Sequence, residues 1–347
     1  MRAMLLAAGL GTRLKPLSER TPKPLLPVAN VPLIEYNLRL LKEHGITEAV
    51  INLHHLGGAI EDHLGNGSDY GMAITYSTEE EILGTGGGVK CVEQRLGPGT
   101  FVVINADIIC DADLTAAIRA HRERRALATM VVLEDPRAEE FGAVEFDERG
   151  NIIQIAGKID NPPALPGPFA KALFTGIHIL EPRVLEYIPP DIFVCINNYA
   201  YPKMIANREA VFAWPMEGYW CDLGTPQRLL EVNQEMLSRK IGLGHYDPLT
   251  EAEFRPRKEE GEAIFLGRDA DLGDAVVFEP PVLIGPGCKI RDRAVLGPGA
   301  ILGAGCQIGV GARITRSVLL PGTKVPEDAE LEGVIADRED TLAVSAD

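Results

Sequence analysis

Two short stretches near the start of the chain concentrate groups suited to binding a phosphate ester. Leu6-Ala-Ala-Gly-Leu-Gly-Thr-Arg13 follows an apolar run, and Pro22-Lys-Pro24 places Lys23 ten residues after Arg13. Gly9 and Gly11 let backbone N–H groups approach an anion closely, and a strand-to-helix turn adds the favourable field of a helix start. Arg13 can fork onto phosphate oxygens, and Lys23 can set a compact positive charge beside a phosphoryl group in transfer. By itself such a loop reads equally well as a structural turn. Leu83-Gly-Thr-Gly-Gly-Gly88 is a second glycine-rich turn, in which Gly84, Thr85 and Gly86 again permit close backbone approach to a ligand. Asp107 stands just past the apolar run Phe101–Asn105, at the carboxyl end of a strand, where open α/β sheets place their ligands.

These residues need elements to hold them. From Ala3 to about Lys240 short apolar runs alternate with helical patterns, which predicts a mostly parallel sheet with flanking helices. The strand candidates are Ala3–Ala7, Glu48–Asn52, Met72–Ser77, Phe101–Asn105, Ala128–Leu133, Leu173–Leu180, Ala210–Trp214 and Tyr219–Cys221. Helices are predicted near Pro32–His44, Leu114–Arg125 and Thr225–Arg239, and a hairpin turn at Asp147–Asn151. After a polar connection at about 241–261 the period changes to six. Small or β-branched residues recur from Ala270 through Val282, Cys288, Ala300 and Cys306 to Val318, each followed two places later by a second apolar residue, as far as Leu320. Such hexapeptide repeats resemble the left-handed parallel β-helix, in which residues eighteen apart stack, so Cys288 and Cys306 become vertical neighbours. The expected organisation is an α/β domain over 1–240, a linker at 241–261, a β-helix over 262–335 and a tail at 336–347.

Composition limits the partners. The 347 residues carry a formal charge of −16, from 50 acidic against 34 basic side chains, which argues against nucleic acid or an anionic membrane surface. No apolar run is long enough for a membrane span, so a cytoplasmic location is expected. The six cysteines are scattered without metal spacing and read as reduced thiols.

Gly9-x-Gly-Thr-Arg13 combined with Pro22-Lys-Pro24 closely resembles the signature of the sugar-1-phosphate nucleotidyltransferase superfamily, whose members commonly carry a hexapeptide tail as well. The resemblance implies a Rossmann-like, GT-A-like catalytic domain. It implies transfer of a nucleotidyl group from a nucleoside triphosphate to a sugar 1-phosphate, with Arg13 and Lys23 as the catalytic cations. Leu6, Ala8, Gly9, Gly11, Thr12, Gly84, Thr85 and Gly86 fall at its nucleotide positions. Asp107, and Asp222 within Gly218-Tyr-Trp-Cys-Asp-Leu-Gly224, resemble its metal-binding aspartates, which fits Mg²⁺, an ion that takes one or two protein carboxylates and completes its shell with phosphate and water. On the sugar side the match loosens: Ala156-Gly-Lys158 keeps only the lysine of a Glu-Lys-Pro turn, Phe174-Thr-Gly-Ile177 replaces an Asn-Ala-Gly strand, and Asn197 and Asn198 stand where some relatives are acidic. Lys158, Thr175, Gly176 and Asn198 are the candidate sugar-phosphate residues.

The best match by domain pairing is a mannose-1-phosphate guanylyltransferase; glucose or amino-sugar 1-phosphate uridylyl- and thymidylyltransferases stay open. An acyltransferase is disfavoured, because the chain has no histidine after His245 to act as the base. A non-catalytic regulatory subunit of the same architecture is disfavoured by the presence of Arg13, Lys23, Asp107 and Asp222. The β-helix is expected to serve a homo-oligomer, since coil edges and flat apolar faces need covering.

Overall fold

The computed structural model describes residues 1–159, 162, 168–250, 254–256 and 263–344. It divides into two compact units that are discontinuous in sequence: Met1–Leu10 with Asn37–Trp220, and Gly11–Tyr36 with Cys221–Asp347. This differs from a boundary near residue 240. The reason is that Gly11–Tyr36, which carries Arg13 and Lys23, packs with the chain that follows Trp220.

In the first unit nine strands form one sheet. Its core is parallel: Arg2–Leu6 lies between Glu48–Leu53 and Phe101–Asn105, and Ala73–Thr78 pairs beyond Glu48–Leu53. The three middle strands are buried on both faces, as the continuous apolar runs of parallel strands require. Their register sets Leu6 opposite both Asn52 and Asn105, so one transverse row of residues forms the carboxyl edge of the sheet. The sheet is mostly parallel, as expected; the long strand Ala170–Leu180 runs antiparallel beside Phe101–Asn105 and Ala128–Leu133. A register shift between Phe174 and Ile177 leaves Thr175 and Gly176 as a bulge. The hairpin at Asp147–Asn151 forms as predicted, with Asp147 accepting from the N–H groups of Arg149 and Asn151. Helix Leu114–Glu123 begins at Asp113, whose carboxylate accepts the Ala116 N–H at 2.9 Å.

Gly84–Cys91 is an α-helix, not a turn. Its glycines read as a loop in sequence, yet they permit the helix to pack closely: a Cβ at Gly87 would meet the Ile192 carbonyl oxygen at 2.6 Å, and one at Gly88 would meet Glu79 Oε1 at 2.8 Å. Helix Ile196–Ala206 escapes the sequence pattern because Pro202 lies inside it.

In the second unit the hexad reading becomes a three-faced parallel β-helix. One face stacks Ile264–Gly267, Val282–Ile284, Ala300–Leu302, Val318–Leu319 and Val334–Ala336. The others begin at Asp271–Leu272 and Val277–Phe278. Val282 pairs with Ala300 and Ile284 with Leu302, eighteen apart, but Leu302 pairs with Leu319 and Ile308 with Val325, seventeen apart. Each of the last two coils is one residue short, and the first of these omissions makes Leu319 fill the core position that the hexad count gave to Leu320. Val318, apolar and β-branched, concealed the slip. The expected tail from 336 is partly structured: Thr341–Ala343 folds back antiparallel on Val334–Ala336. The expected linker is also partly structured: Pro248–Thr250 forms a helical turn and strand Phe254–Pro256 pairs antiparallel with Ile264–Gly267, while 251–253, 257–262 and 345–347 lie outside the described residues. Cys288 and Cys306 are fully buried free thiols with Sγ near the Gly303 and Leu320 carbonyls, at 3.2 and 3.4 Å.

Segment Gly11–Tyr36 is held to this unit by buried polar contacts. Asn233, fully buried on helix Pro226–Leu237, accepts the Ala29 N–H at 2.8 Å and donates to the Pro27 carbonyl at 3.2 Å. Asn30 donates to the Leu302 carbonyl at 2.8 Å, directly on a β-helix strand. Helix Pro226–Leu237 starts at Thr225, whose hydroxyl accepts the Arg228 N–H, with proline at the first helical position.

Candidate active site

The carboxyl edge of the sheet opens into a cavity of about 210 Å³ in the first unit, lined by Leu6, Ala8, Gly9, Glu79, Gly84 and Asp107 together with Asn52, Ile82, Thr85 and Asn105. Three of its walls are the ends of the three middle strands, the place where this architecture leaves backbone groups free for a ligand. A Cβ at Gly9 would meet no protein atom within 4 Å, so the space beside it is open.

A buried polar network fixes the cavity wall. Asn52 accepts the Ala7 N–H on Oδ1 at 2.8 Å and donates from Nδ2 to Glu79 Oε1 at 2.7 Å. Glu79 Oε2 in turn accepts the Leu83 N–H at 2.9 Å, at the threshold of helix Gly84–Cys91. Glu79 is 4% exposed, so this carboxylate is spent on holding the Leu6–Gly9 loop and the Gly84 helix in mutual register. The charged run Glu79-Glu-Glu81 reads in sequence as able to orient the glycine-rich turn, whereas Asn52 and Asn105 carry no such reading. The available signal was a polar residue ending an apolar strand run at two parallel strands.

Gly84 and Thr85 reach the cavity; Gly86 does not, and its N–H donates to the Val194 carbonyl at 2.8 Å. Close approach at Gly86 therefore serves the segment before helix Ile196–Ala206, not a ligand: a Cβ there would meet Val194 Cγ1 at 3.0 Å. The Thr85 hydroxyl accepts the Ile196 N–H at 3.0 Å, tying the same two elements together.

On the sugar side, the Thr175 hydroxyl is fully buried and donates to the Val131 carbonyl at 2.8 Å, while its own carbonyl accepts Trp220 Nε1–H at 2.7 Å. The expectation that this hydroxyl contacts a sugar is overturned, because the bulge turns it into the sheet. Gly176, at φ +89°, backs onto Asn105: a Cβ there would lie 2.9 Å from Asn105 Nδ2. Gly176 thus shapes the cavity from behind. Lys158 and Asn198 are exposed, the first after strand Ile152–Ile155 and the second in the opening turn of helix Ile196–Ala206. His178 lies under this region between Phe174 and Tyr201, its Nδ1 2.7 Å from the Tyr201 hydroxyl; burial pushes its pKa down to about 3, so it stays neutral.

The second unit gathers the charged candidates. Lys23 Nζ lies 3.3 Å from Asp222 Oδ1, and Arg13 Nη2 lies 3.8 Å from Asp222 Oδ2. Lys23 is almost wholly buried whereas Arg13 is 65% exposed, so Lys23 is an enclosed charge and Arg13 a solvent-facing one. Gly11, at the head of the Thr12–Leu14 turn, packs against the same cluster: a Cβ would meet Ser18 and Lys23 side chains at 3.2 and 3.4 Å. Thr12 is exposed beside it. At Gly224 a Cβ would fall 2.5 Å from Arg13 Nη2 and 2.9 Å from Asp222 Oδ2, so glycine is what admits the cation to the carboxylate.

Residues 2–239 match the family described as Nucleotidyl transferase, and residues 278–343 match a GMPPB C-terminal domain. The chain belongs to the nucleotidyl transferase family. It is an enzyme of that class, with a parallel-cored α/β catalytic region and a β-helix. A UTP–glucose-1-phosphate uridylyltransferase of Synechocystis sp. is 32% identical across 90% of this chain and 86% of its own length. A mannose-1-phosphate guanylyltransferase of Mycobacterium tuberculosis is 30% identical across 83% and 82%. A Bacillus anthracis protein solved in complex with a sucrose superimposes with a TM-score of 0.59 at 26% identity, covering 70% of this chain and 97% of that one.

Among the described residues no three His, Cys, Asp or Glu side chains gather as a self-sufficient metal cage. A nucleotidyltransferase does not need one for magnesium, which binds through one or two carboxylates and phosphate oxygens. Asp107, on the cavity wall, and Asp222, beside two cations, are hard oxygen donors of the right kind.

Proposed function

We propose that the enzyme transfers a guanylyl group from GTP to mannose 1-phosphate, giving GDP-mannose and pyrophosphate. The observation that carries the choice of substrates is the match of residues 278–343 to a GMPPB C-terminal domain, in a chain 30% identical across 83% of its length to the Mycobacterium tuberculosis guanylyltransferase. Glucose 1-phosphate with UTP is the second reading, favoured by the Synechocystis relative.

In this reading the nucleotide occupies the cavity at the carboxyl edge of the sheet, against Leu6, Ala8, Gly9, Gly84 and Thr85. The sugar phosphate attacks the α-phosphorus in line and pyrophosphate leaves. Its oxygens are already ionised near neutral pH, so no general base is needed, and catalysis rests on positioning and on neutralising charge as it develops. Lys23 supplies an enclosed positive charge beside Asp222, and Arg13 a solvent-facing forked donor for the leaving pyrophosphate. By resemblance to the family, Asp107 of the first unit and Asp222 of the second are each a carboxylate donor for Mg²⁺, which when bound would neutralise phosphate oxygens. Lys158 and Asn198 supply donors for the sugar phosphate, and Gly11 and Thr12 shape the loop that carries Arg13. The β-helix mediates a homo-oligomer: Leu272 and Val277, on its first coil, are 36% and 47% exposed. A cytoplasmic location is part of the same reading; among the described residues no helix is long and apolar enough to cross a membrane.

The test is Mg²⁺-dependent pyrophosphate release for GTP, UTP, dTTP, CTP and ATP, each against mannose, glucose and amino-sugar 1-phosphates, with Asp107→Ala alongside. Turnover highest with GTP and mannose 1-phosphate, and lost in the variant, is expected. A preference for UTP and glucose 1-phosphate moves the assignment to the second reading, and silence across all pairs refutes both.

A further inference from the structure

Arg20 ends the helical turn Leu17–Arg20, which lies between Arg13 and Lys23 in sequence. Its guanidinium donates to Asp337 Oδ2 from Nε and Nη2 at 2.9 and 2.6 Å, to the Asp340 carboxylate from Nη2, and to Glu339 from Nη1 at 3.4 Å. The acceptor loop is itself ordered: Asp337 Oδ1 receives the N–H groups of Glu339 and Asp340 at 2.9 and 2.8 Å. Desolvation works to raise the Asp337 carboxyl, but those two N–H groups and Arg20 outweigh it and hold its pKa below the usual range. The loop follows directly on the β-helix strand Val334–Ala336.

Arg20 lies three residues before Lys23, in a closely packed turn. The turn it ends contains Ser18, whose side chain is buried, and a Cβ added at Gly11 would meet the Ser18 and Lys23 side chains at 3.2 and 3.4 Å, so both flank Gly11 closely. The Thr21 N–H closes the turn on the Leu17 carbonyl at 3.0 Å, one residue before the Pro22-Lys-Pro24 step. Asn30 bonded to Leu302 gives the same segment its second anchor on the β-helix.

We propose that the clamp of Arg20 on Asp337 and Asp340 is a positioning device for the reaction, through which the end of the β-helix sets Arg13 and Lys23 in place on Asp222. Arg20 touches no substrate in this scheme; it acts through the turn. The proposal rests on the roles given above to Arg13 and Lys23. A misplacement of about 1 Å in a charge-neutralising group can cost up to roughly a hundredfold in rate.

The test compares Arg20→Gln, Asp337→Asn with Asp340→Asn, the combination of all three, Arg20→Lys and Lys23→Ala. The readouts are kcat, KM for the triphosphate and folded fraction by circular dichroism at the assay temperature. Arg20→Gln is expected to lower kcat per folded molecule about tenfold, with KM changed less than about threefold. The double asparagine variant is expected to do the same, and the combination to go no lower, as for two halves of one interaction. Arg20→Lys, which keeps the charge but loses the fork, is expected to fold and to lose about threefold. Undiminished kcat in Arg20→Lys and in the double asparagine variant overturns the clamp, as do losses that multiply or that vanish once corrected for folded fraction. Full activity in Lys23→Ala instead overturns the underlying reading of Lys23.

Discussion

Replacing Glu79 by glutamine changes one oxygen to an NH₂ and should disable the cavity wall. Both carboxylate oxygens of Glu79 accept: Oε1 from Asn52 at 2.7 Å and Oε2 from Leu83 at 2.9 Å. A glutamine can accept from one of them only and turns a donor toward the other. Asn52 cannot relieve the conflict by rotating its amide, because its Oδ1 already accepts the Ala7 N–H at 2.8 Å. The variant therefore loses one buried hydrogen bond to a charged acceptor and gains a donor facing a donor, a cost of about 2–3 kcal/mol. For a unit of this size that corresponds to a melting point lower by roughly 4–12 °C. If about 1.4 kcal/mol of the loss is felt when the nucleotide binds against Ala8 and Gly84, its KM rises about tenfold. Calorimetry on the purified variant gives the first number and initial rates against triphosphate concentration the second. A Glu79→Gln enzyme with wild-type melting and wild-type KM would refute the reasoning, since it would mean that the network is relieved by water or by movement of the loop.

Three further outcomes follow from the geometry. Gly224→Ala places a methyl group where Arg13 approaches Asp222, so kcat should fall about tenfold or more, with the melting point changed little because the displaced guanidinium is exposed. Thr175→Val removes a buried hydroxyl that bonds the Val131 carbonyl, so stability should drop by about 1 kcal/mol while KM for the sugar phosphate stays unchanged; a raised sugar KM would restore the sugar-binding role rejected here. His178 has its pKa pushed down to about 3 by burial, so the unfolded chain binds a proton that the folded chain refuses. Its contribution is intact above about pH 6.5 and is lost on acidification toward pH 3, at about 1.4 kcal/mol per unit. Denaturant unfolding between pH 7 and 5 should show this slope, and His178→Gln should flatten it.

Much of this was legible in the residues. Phe101–Asn105 and Ala128–Leu133 were readable to the residue because continuous apolar runs bounded by polar ones leave little choice of boundary. The hexads were visible because a β-helix core repeats one inward position too strictly to be mimicked. What failed to show was whatever depended on a neighbour distant in sequence. The Gly84 helix reads as a loop until Ile192 and Val194 occupy the space its glycines vacate. Thr175 looked like a sugar ligand because composition does not reveal a bulge that turns a side chain inward. Glu79, in a charged run suited to orienting the glycine-rich turn, shows no link to Asn52 in sequence, and only the pairing of strand ends brings the two together.

The tie between Arg20 and Asp337 spans 317 residues of chain. At a synthesis rate of about 5–20 residues per second, the ribosome releases Arg20 roughly 15–60 s before its partner exists. For that interval the parallel strands can assemble, but the loop with Arg13 and Lys23 lacks its anchors on Leu302 and Asp337. A nascent or prematurely terminated chain should then bind nucleotide without turning it over, so that catalytic competence arrives only when the last coil has been made.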